Sequence, residues 1–384
     1  MDRGSMHGTV SAPKADVHRQ QSSLRRWFGC SPPALFVYVV FCAGLAVVAF
    51  LRPLPTYDRY LYAGAVASLR YSDPVILQRI ARAEFDAEPT HFQFENVAAE
   101  PYFVDVYNNP DHFVEQLGLS RLKFGYVGGG YLLWRSGLPI LVSLRLISAC
   151  CLFLVGLTAL AWGHDALLCP ILLLTPPVLN MGRMVTGDPL STTVLVLALF
   201  ALAKERAMLA TGLLLAGVVV RTDNVVLVLI LLAWMLWSGR LSMRWAAGAG
   251  AVAVLTCVLV NRTVGMFGYR VLMEHSFIKP EIEPLTHPVL ISFAGYLQAL
   301  AGLRAIPYTF LTVWFLVAAV LWRLLTKGSF FRQLFAVSGV YLVIRLLMFP
   351  NFDDRVFVWA YLMVGVALIQ IGRTALVKLV PDRY

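Results

Sequence analysis

Ten runs of mostly apolar residues, each near the length of a membrane crossing, limit this chain to very few folds. They lie at about 34–51, 138–160, 166–181, 189–203, 207–220, 224–237, 245–261, 307–322, 333–349 and 356–372. A bilayer core is crossed by roughly 20 apolar residues in a helix. The hydrocarbon offers no water to satisfy backbone groups, so each run closes its own hydrogen bonds. Only 14% of the residues are charged, against roughly 25% in soluble domains. The expected fold class is an all-α polytopic membrane protein with about ten transmembrane helices.

Charge placement orients the chain. The net charge of +10 comes from basic residues gathered in short loops, as the positive-inside rule requires. Nucleic acid is therefore a poor account of the basic balance, and membrane lipids are the expected surroundings. An eleventh apolar stretch, 289–303, either spans or lies in the interface. If it spans, the basic loop 323–332 and the tail with Arg373, Lys378 and Arg383 fall outside. If it lies flat, both fall inside, and this second choice is adopted. Residues 1–33 are then a basic cytoplasmic tail carrying Lys14, Arg19, Arg25 and Arg26. Residues 34–384 form the membrane domain, including an outer loop at 52–137, and both termini are cytoplasmic. No small-residue cleavage site follows the first run, which reads as an uncleaved helix. On this topology 17 of the 22 acidic residues are outside, ten of them in 52–137. Their gathering on one side suggests a working surface. The six cysteines show no Cys-x-x-Cys pair and read as small core residues.

The outer loop begins close to the membrane with Thr56-Tyr57-Asp58-Arg59-Tyr60-Leu61-Tyr62. Two readings stand for Asp58. It favours the N-terminal dipole of a helix, or it is a carboxylate held at headgroup level beside Arg59 and Tyr62 to act on a lipid-linked substrate. Residues 70–85 have the pattern of an amphipathic surface helix. Asn108-Asn109-Pro110-Asp111 reads as a turn. Gly128-Gly129-Gly130 reads as a flexible join into the second span. No Gly-Lys-Ser/Thr follows it, which weakens any phosphate-loop reading.

Further polar residues sit where the membrane must tolerate them, and such groups ask for a reason. Asp188-Pro189 suits either a helix start or a substrate contact. Arg183 has no structural excuse in the sequence and suits a lipid phosphate. Arg221 and Asp223 share a brief turn, as an ion pair or as substrate ligands. Asp353, Asp354 and Arg355 precede the last span and suit a cap or a substrate site. Arg145 and Arg345 lie inside apolar runs, snorkelling to an interface or pairing within the bundle. No histidine shows metal spacing, and there is no His-Glu-x-x-His, Gly-x-Ser-x-Gly or EF-hand pattern. No cofactor is indicated. A divalent ion between Asp58, Asp353 and Asp354 is a lesser reading.

The layout resembles the GT-C superfamily of integral-membrane glycosyltransferases. The resemblance rests on one span, then a large outer loop with an acid near its start, here Asp58. It continues with the basic-aromatic stretch Arg121-Leu-Lys-Phe-Gly-Tyr126, the Arg221-x-Asp223 turn, and the acid-acid-arginine element before the last span. Bacterial members carry a Tyr-Asp-Gly-x-Phe-Tyr-like run where this chain has Arg59 and Tyr60, so the match there is partial. The resemblance implies a GT-C-like bundle in a bacterial cell membrane. It implies an inverting transferase that moves a sugar from a polyprenyl-phosphate donor to a lipid or glycan acceptor at the outer face. Asp58 would be the general base. Arg59, Tyr62, Arg183, Asp188, Arg221, Asp223, Asp353, Asp354 and Arg355 would bind substrate. Competing readings are a transporter or flippase for lipid-linked glycans and a non-catalytic assembly partner. A transporter would place its charges near the midplane, often in repeated halves, whereas here they gather at one face and no repeat is seen.

Overall fold

The computed structural model describes residues 28–87, 101–265, 268–302, 310–326, 328–350 and 353–379. Nearly all of the expected basic tail, and 88–100 of the acidic loop, lie outside the described residues. Among the described residues the chain is all-helical, without a strand. It opens with α1 (Pro32–Leu51), whose first turn carries Pro32 and Pro33 behind Ser31, as a helix start favours. The segment after it folds as α2 (Asp58–Ala67), α3 (Pro74–Asp86), α4 (Pro101–Asn108), α5 (Pro110–Arg121) and α6 (Phe124–Arg135). The remainder runs α7 (Ile140–Gly163), α8 (Leu168–Leu173), α9 (Pro176–Arg183), α10 (Asp188–Ala203), α11 (Ala207–Val220) and α12 (Val225–Trp237). It ends with α13 (Met243–Thr263), α14 (Tyr269–Phe277), α15 (Phe293–Gly302), α16 (Phe310–Leu324), α17 (Phe330–Met348) and α18 (Val358–Leu379). Helices α1, α7, α13 and α17 are long and apolar enough to cross a membrane, and α10, α11, α12, α16 and α18 contain shorter apolar helical stretches. This is a helical membrane protein.

Two expected segments differ in form. The run 166–181 is broken into α8 and α9, because Pro176 and Pro177 follow Thr175 and a residue ahead of proline is pushed out of the helical region. The stretch 289–303 yields α15, ten residues long, or about 15 Å. That is half of a bilayer core.

Apolar burial falls into two clusters. The larger runs through the bundle, from Tyr38 and Cys42 on α1 to Tyr361 and Ala367 on α18. One close contact in it joins α1 to α7. Tyr38 donates its hydroxyl to the Gly156 carbonyl at 2.8 Å, and a Cβ at Gly156 would meet Cys42 Sγ at 2.7 Å. The outward faces of α1 and α13 remain apolar, with Phe36, Val37, Trp245 and Leu255 exposed, as a lipid-facing surface requires. The smaller cluster is the core of a helical layer built from α2, α3, α5 and α6 on the start of α7. Helix α2 is its centre and is buried from Arg59 to Ala67.

The layer differs from its sequence expectations in two places. The amphipathic helix starts at Pro74 rather than near residue 70, because Asp73 caps it by accepting the Val75 and Ile76 amides at 2.8 and 3.0 Å. Leu77, Gln78 and Ala81 face inward, while Val75 and Ile76 stay exposed. Gly128–Gly130 is no flexible join but part of α6. Gly130 lets α6 close on α7, since a Cβ there would meet Leu144 Cδ2 at 2.6 Å.

The two ends of the bundle differ in character. Gly29 packs on His164, with an added Cβ only 2.8 Å from His164 Cβ. Arg373 of α18 donates to the His164 carbonyl at 2.8 Å. The start of α1, the end of α7 and the end of α18 therefore share one end. The Leu54 amide donates to the Arg183 carbonyl at 2.9 Å, so the ends of α1 and α9 share the other, beside the layer.

Packing around α2 yields a test. A side chain on Gly64 would collide with Phe113 and come within 2.8 Å of Leu117 Cδ2. Gly64→Val is expected to cost about 2 kcal/mol or more through overpacking and to lower the thermal midpoint of the purified protein in detergent. An unchanged midpoint would refute this packing.

Candidate functional site

At the layer end of the bundle the helices enclose a cavity of about 560 Å³, within the usual size range of small-molecule sites. Its polar lining comes from segments far apart in the chain. Asp58 and Tyr62 arrive on α2, Lys123 between α5 and α6, and Asp188 at the start of α10. Arg221 and Asp223 come from the turn before α12, Arg345 from α17, and Asp353 and Arg355 from the turn before α18.

Helix starts position several of these groups. Asp58 sits in the first turn of α2 and Asp188 in the first turn of α10, where the helix dipole favours a carboxylate. Neither acts as a side-chain cap. For Asp188 this removes the capping reading. Its Oδ2 accepts the Thr186 hydroxyl at 3.0 Å, and its carboxylate pairs with Arg221. Asp353 does cap a turn, accepting the Arg355 amide at 3.2 Å.

The charges form one linked network. Arg355 Nη1 bonds Asp58 Oδ2 at 3.0 Å, its Nε lies 3.8 Å from Asp188, and it also pairs with Asp353. Arg221 bridges Asp188 and Asp223, the latter at 2.7 Å. Arg345 reaches Asp223 at 3.9 Å. Tyr62 accepts the Gly187 amide on its hydroxyl oxygen at 3.3 Å, tying α2 to the segment that leads into α10.

Of the residues singled out in the sequence, Asp58, Tyr62, Asp188, Arg221, Asp223, Asp353 and Arg355 meet at this cavity, and three do not. Arg59 is buried in the layer, its guanidinium 5.6 Å from the Phe85 ring centre and its Nε bonded to the Thr56 carbonyl. Arg183 has a structural task after all. It donates to the Arg52 carbonyl at 2.7 Å and to Asn180 at 3.2 Å, fastening α9 to the end of α1. Asp354 accepts the Tyr361 hydroxyl at 2.5 Å and does not line the cavity. Among the described residues no three His, Cys, Asp or Glu side chains are grouped to hold a metal.

The cavity also holds Arg345, which the sequence singled out without placing it at a site, and three groups not assigned to a site, namely Lys123, Tyr102 and His275. Arg345 carried a signal, a charge inside an apolar run close to Pro350, though not one that separates pairing from snorkelling. Lys123 lay within a motif noted only for its overall basic-aromatic character. His275 accepts the Glu281 amide on Nδ1 at 2.9 Å, which leaves the proton of the neutral ring on Nε2. Burial pushes its pKa down to about 4. At neutral pH it is an uncharged imidazole of fixed tautomer.

No protein-family model matches the chain, and searches of curated proteins and of solved structures find no match.

The network is not uniform in depth. Asp188 and Arg221 have side chains 7% and 13% exposed, whereas Asp353 and Arg355 are 28% and 35% exposed. Breaking a buried pair costs about 3–5 kcal/mol, and an accessible one about 1 kcal/mol or less. Asp188→Ala should therefore destabilise the protein by about 3 kcal/mol, and Asp353→Ala by about 1 kcal/mol. Chemical denaturation in detergent measures both, and equal losses would refute the ranking.

Proposed function

We propose that the protein is a membrane glycosyltransferase of the GT-C kind. It would transfer a sugar from a polyprenyl-phosphate donor to a lipid or glycan acceptor at the outer face of a bacterial cell membrane. One observation carries this reading. Asp58, Asp188, the Arg221–Asp223 turn and the Asp353–Arg355 turn, scattered over some 300 residues of sequence, converge on one cavity at the layer end of the bundle. A carboxylate beside several cations at one end of an apolar bundle suits chemistry on the charged head of a lipid.

The chemistry would run as follows. The acceptor hydroxyl lies against Asp58, which takes its proton as the oxygen attacks the anomeric carbon of the donor sugar. The bond from that carbon to the donor phosphate oxygen breaks, and the phosphate leaves carrying the electron pair. Direct displacement inverts the sugar carbon. Arg355, 3.0 Å from Asp58, stands where it can meet both the base and the departing phosphate. Arg221 reinforces the positive side of the cavity through the shared Asp188. Tyr62 and Asp223 hold the walls. Helices α3 and α15 suit the interface, one through exposed Val75 and Ile76, the other through its shortness.

The proposed topology has ten crossings, counting α8 with α9 as one and α15 as none. Both termini are then cytoplasmic. The shared end of α1 and α18 at His164 supports an even number, and the basic loops beside Lys204 and Arg240 obey the positive-inside rule.

Two outcomes check this. Asp58→Asn should insert normally in the membrane and lower sugar transfer from a prenyl-phosphate donor by at least about 100-fold, the upper scale of general-base effects being about 10⁴. Retained transfer would remove Asp58 from the reaction. Reporter tags at the two chain ends should read the same compartment, and opposite readings would restore 289–303 as a crossing.

A further inference from the structure

The arginines of the cavity are already matched by carboxylates. Arg355 holds Asp58 and Asp353, Arg221 holds Asp188 and Asp223, and Arg345 leans on Asp223. Among the described residues, Lys123 is the lining cation without a carboxylate in ion-pair reach. Its ammonium donates to the Leu119 carbonyl at 2.9 Å, which leaves two of its three N–H bonds unassigned. The site is built to admit it. A Cβ on Gly187 would meet Lys123 Cγ at 2.6 Å, so glycine there makes room for the lysine stem.

We propose that Lys123 is the receptor for the phosphate of the substrate, and that it binds this anion with uptake of a proton, linking occupancy of the cavity to pH. The inference rests on the proposed function only in taking the phosphate to be that of a prenyl lipid. Burial disfavours the charged lysine most, and Arg221 and Arg355 add repulsion. Asp223 and Asp58 oppose both, and the balance leaves its pKa down at about 8. Tyr126, packed near the same glycine, brings no charge at neutral pH. A phosphate dianion in contact would reverse the balance and hold the ammonium charged. The arginines give no such linkage, because they are charged at every accessible pH.

The test uses the full chain in detergent, with farnesyl phosphate as probe, titrated calorimetrically in buffers of different ionisation enthalpy. The second ionisation of a phosphate ester is centred near pH 6 and is essentially complete by about pH 8, so proton uptake at about pH 9 belongs to the protein. Uptake should be near zero at about pH 7 and approach about one proton at about pH 9. Lys123→Arg should keep affinity within about threefold and abolish the uptake at about pH 9, because the guanidinium is charged beforehand. Lys123→Met should weaken binding at least about tenfold, with an unchanged gel-filtration profile. No binding by the unsubstituted protein, unchanged binding by Lys123→Met, or uptake persisting in Lys123→Arg would each overturn the proposal. Inorganic phosphate serves as the second arm. If it binds as tightly as farnesyl phosphate and with the same dependence on Lys123, the anion site stands and the lipid is removed from the proposed function. Binding of farnesyl phosphate through Lys123 without any sugar transfer would sink the transferase reading alone.

Discussion

Arg355 holds the site together. Its guanidinium meets Asp58, Asp188 and Asp353, carboxylates from three separate stretches of chain, and its planar fork of five donors suits several such partners at once. The contact with Asp58 joins residues 297 positions apart. Its partners are placed by packing that does not depend on the ion pair itself. Asp58 stands at the head of a helix buried along nearly its whole length. Arg355 sits in a short turn held from below by Phe357, which is 2% exposed, and flanked by the Asp354–Tyr361 hydrogen bond.

The same logic explains the small residues of α2. Ala63, Gly64, Ala65 and Ala67 give the helix a narrow body, so α3, α5 and α6 can approach from different sides. Phe113 and Leu117 fill the space over Gly64. The tyrosines then do the bulky packing. Tyr60 is fully buried among Phe85, Phe103, Tyr107 and Phe113 rings. A layer built this way is closely packed beneath Asp58, and close packing is what holds a carboxylate in a fixed position.

The near balance of charge in the cavity follows from where it lies. Ionised groups next to an apolar bundle lose hydration, and each needs a counter-charge or hydrogen bonds to remain ionised. Pairing the arginines with aspartates meets that need. An incoming anion must then compete with resident carboxylates at every arginine, which makes the unpaired lysine the electrostatically open position. The network thus separates groups that hold the cavity's shape from the group best placed to greet a ligand.

How much of this was legible beforehand divides along physical lines. The apolar runs stated a helical membrane protein, because a run of that length and composition has no other stable form in lipid. The Asp188-Pro189 pair marked a true helix start, whereas the start of α3 at Pro74 was read four residues early, and most residues flagged as costly near a membrane do meet at the cavity. The sequence could not separate Arg183 or Arg59 from Arg221 and Arg355. All are arginines near polar turns, and their tasks differ only through neighbours distant in the chain, the Arg52 carbonyl in one case and the Phe85 ring in another. Nor could it expose Lys123 as the cation left over, since being left over is a property of the whole pairing pattern. What composition and periodicity determined is the solvent each segment seeks. Which charge meets which was decided by tertiary packing alone, because Coulomb energy depends on separation in space and not on separation along the chain.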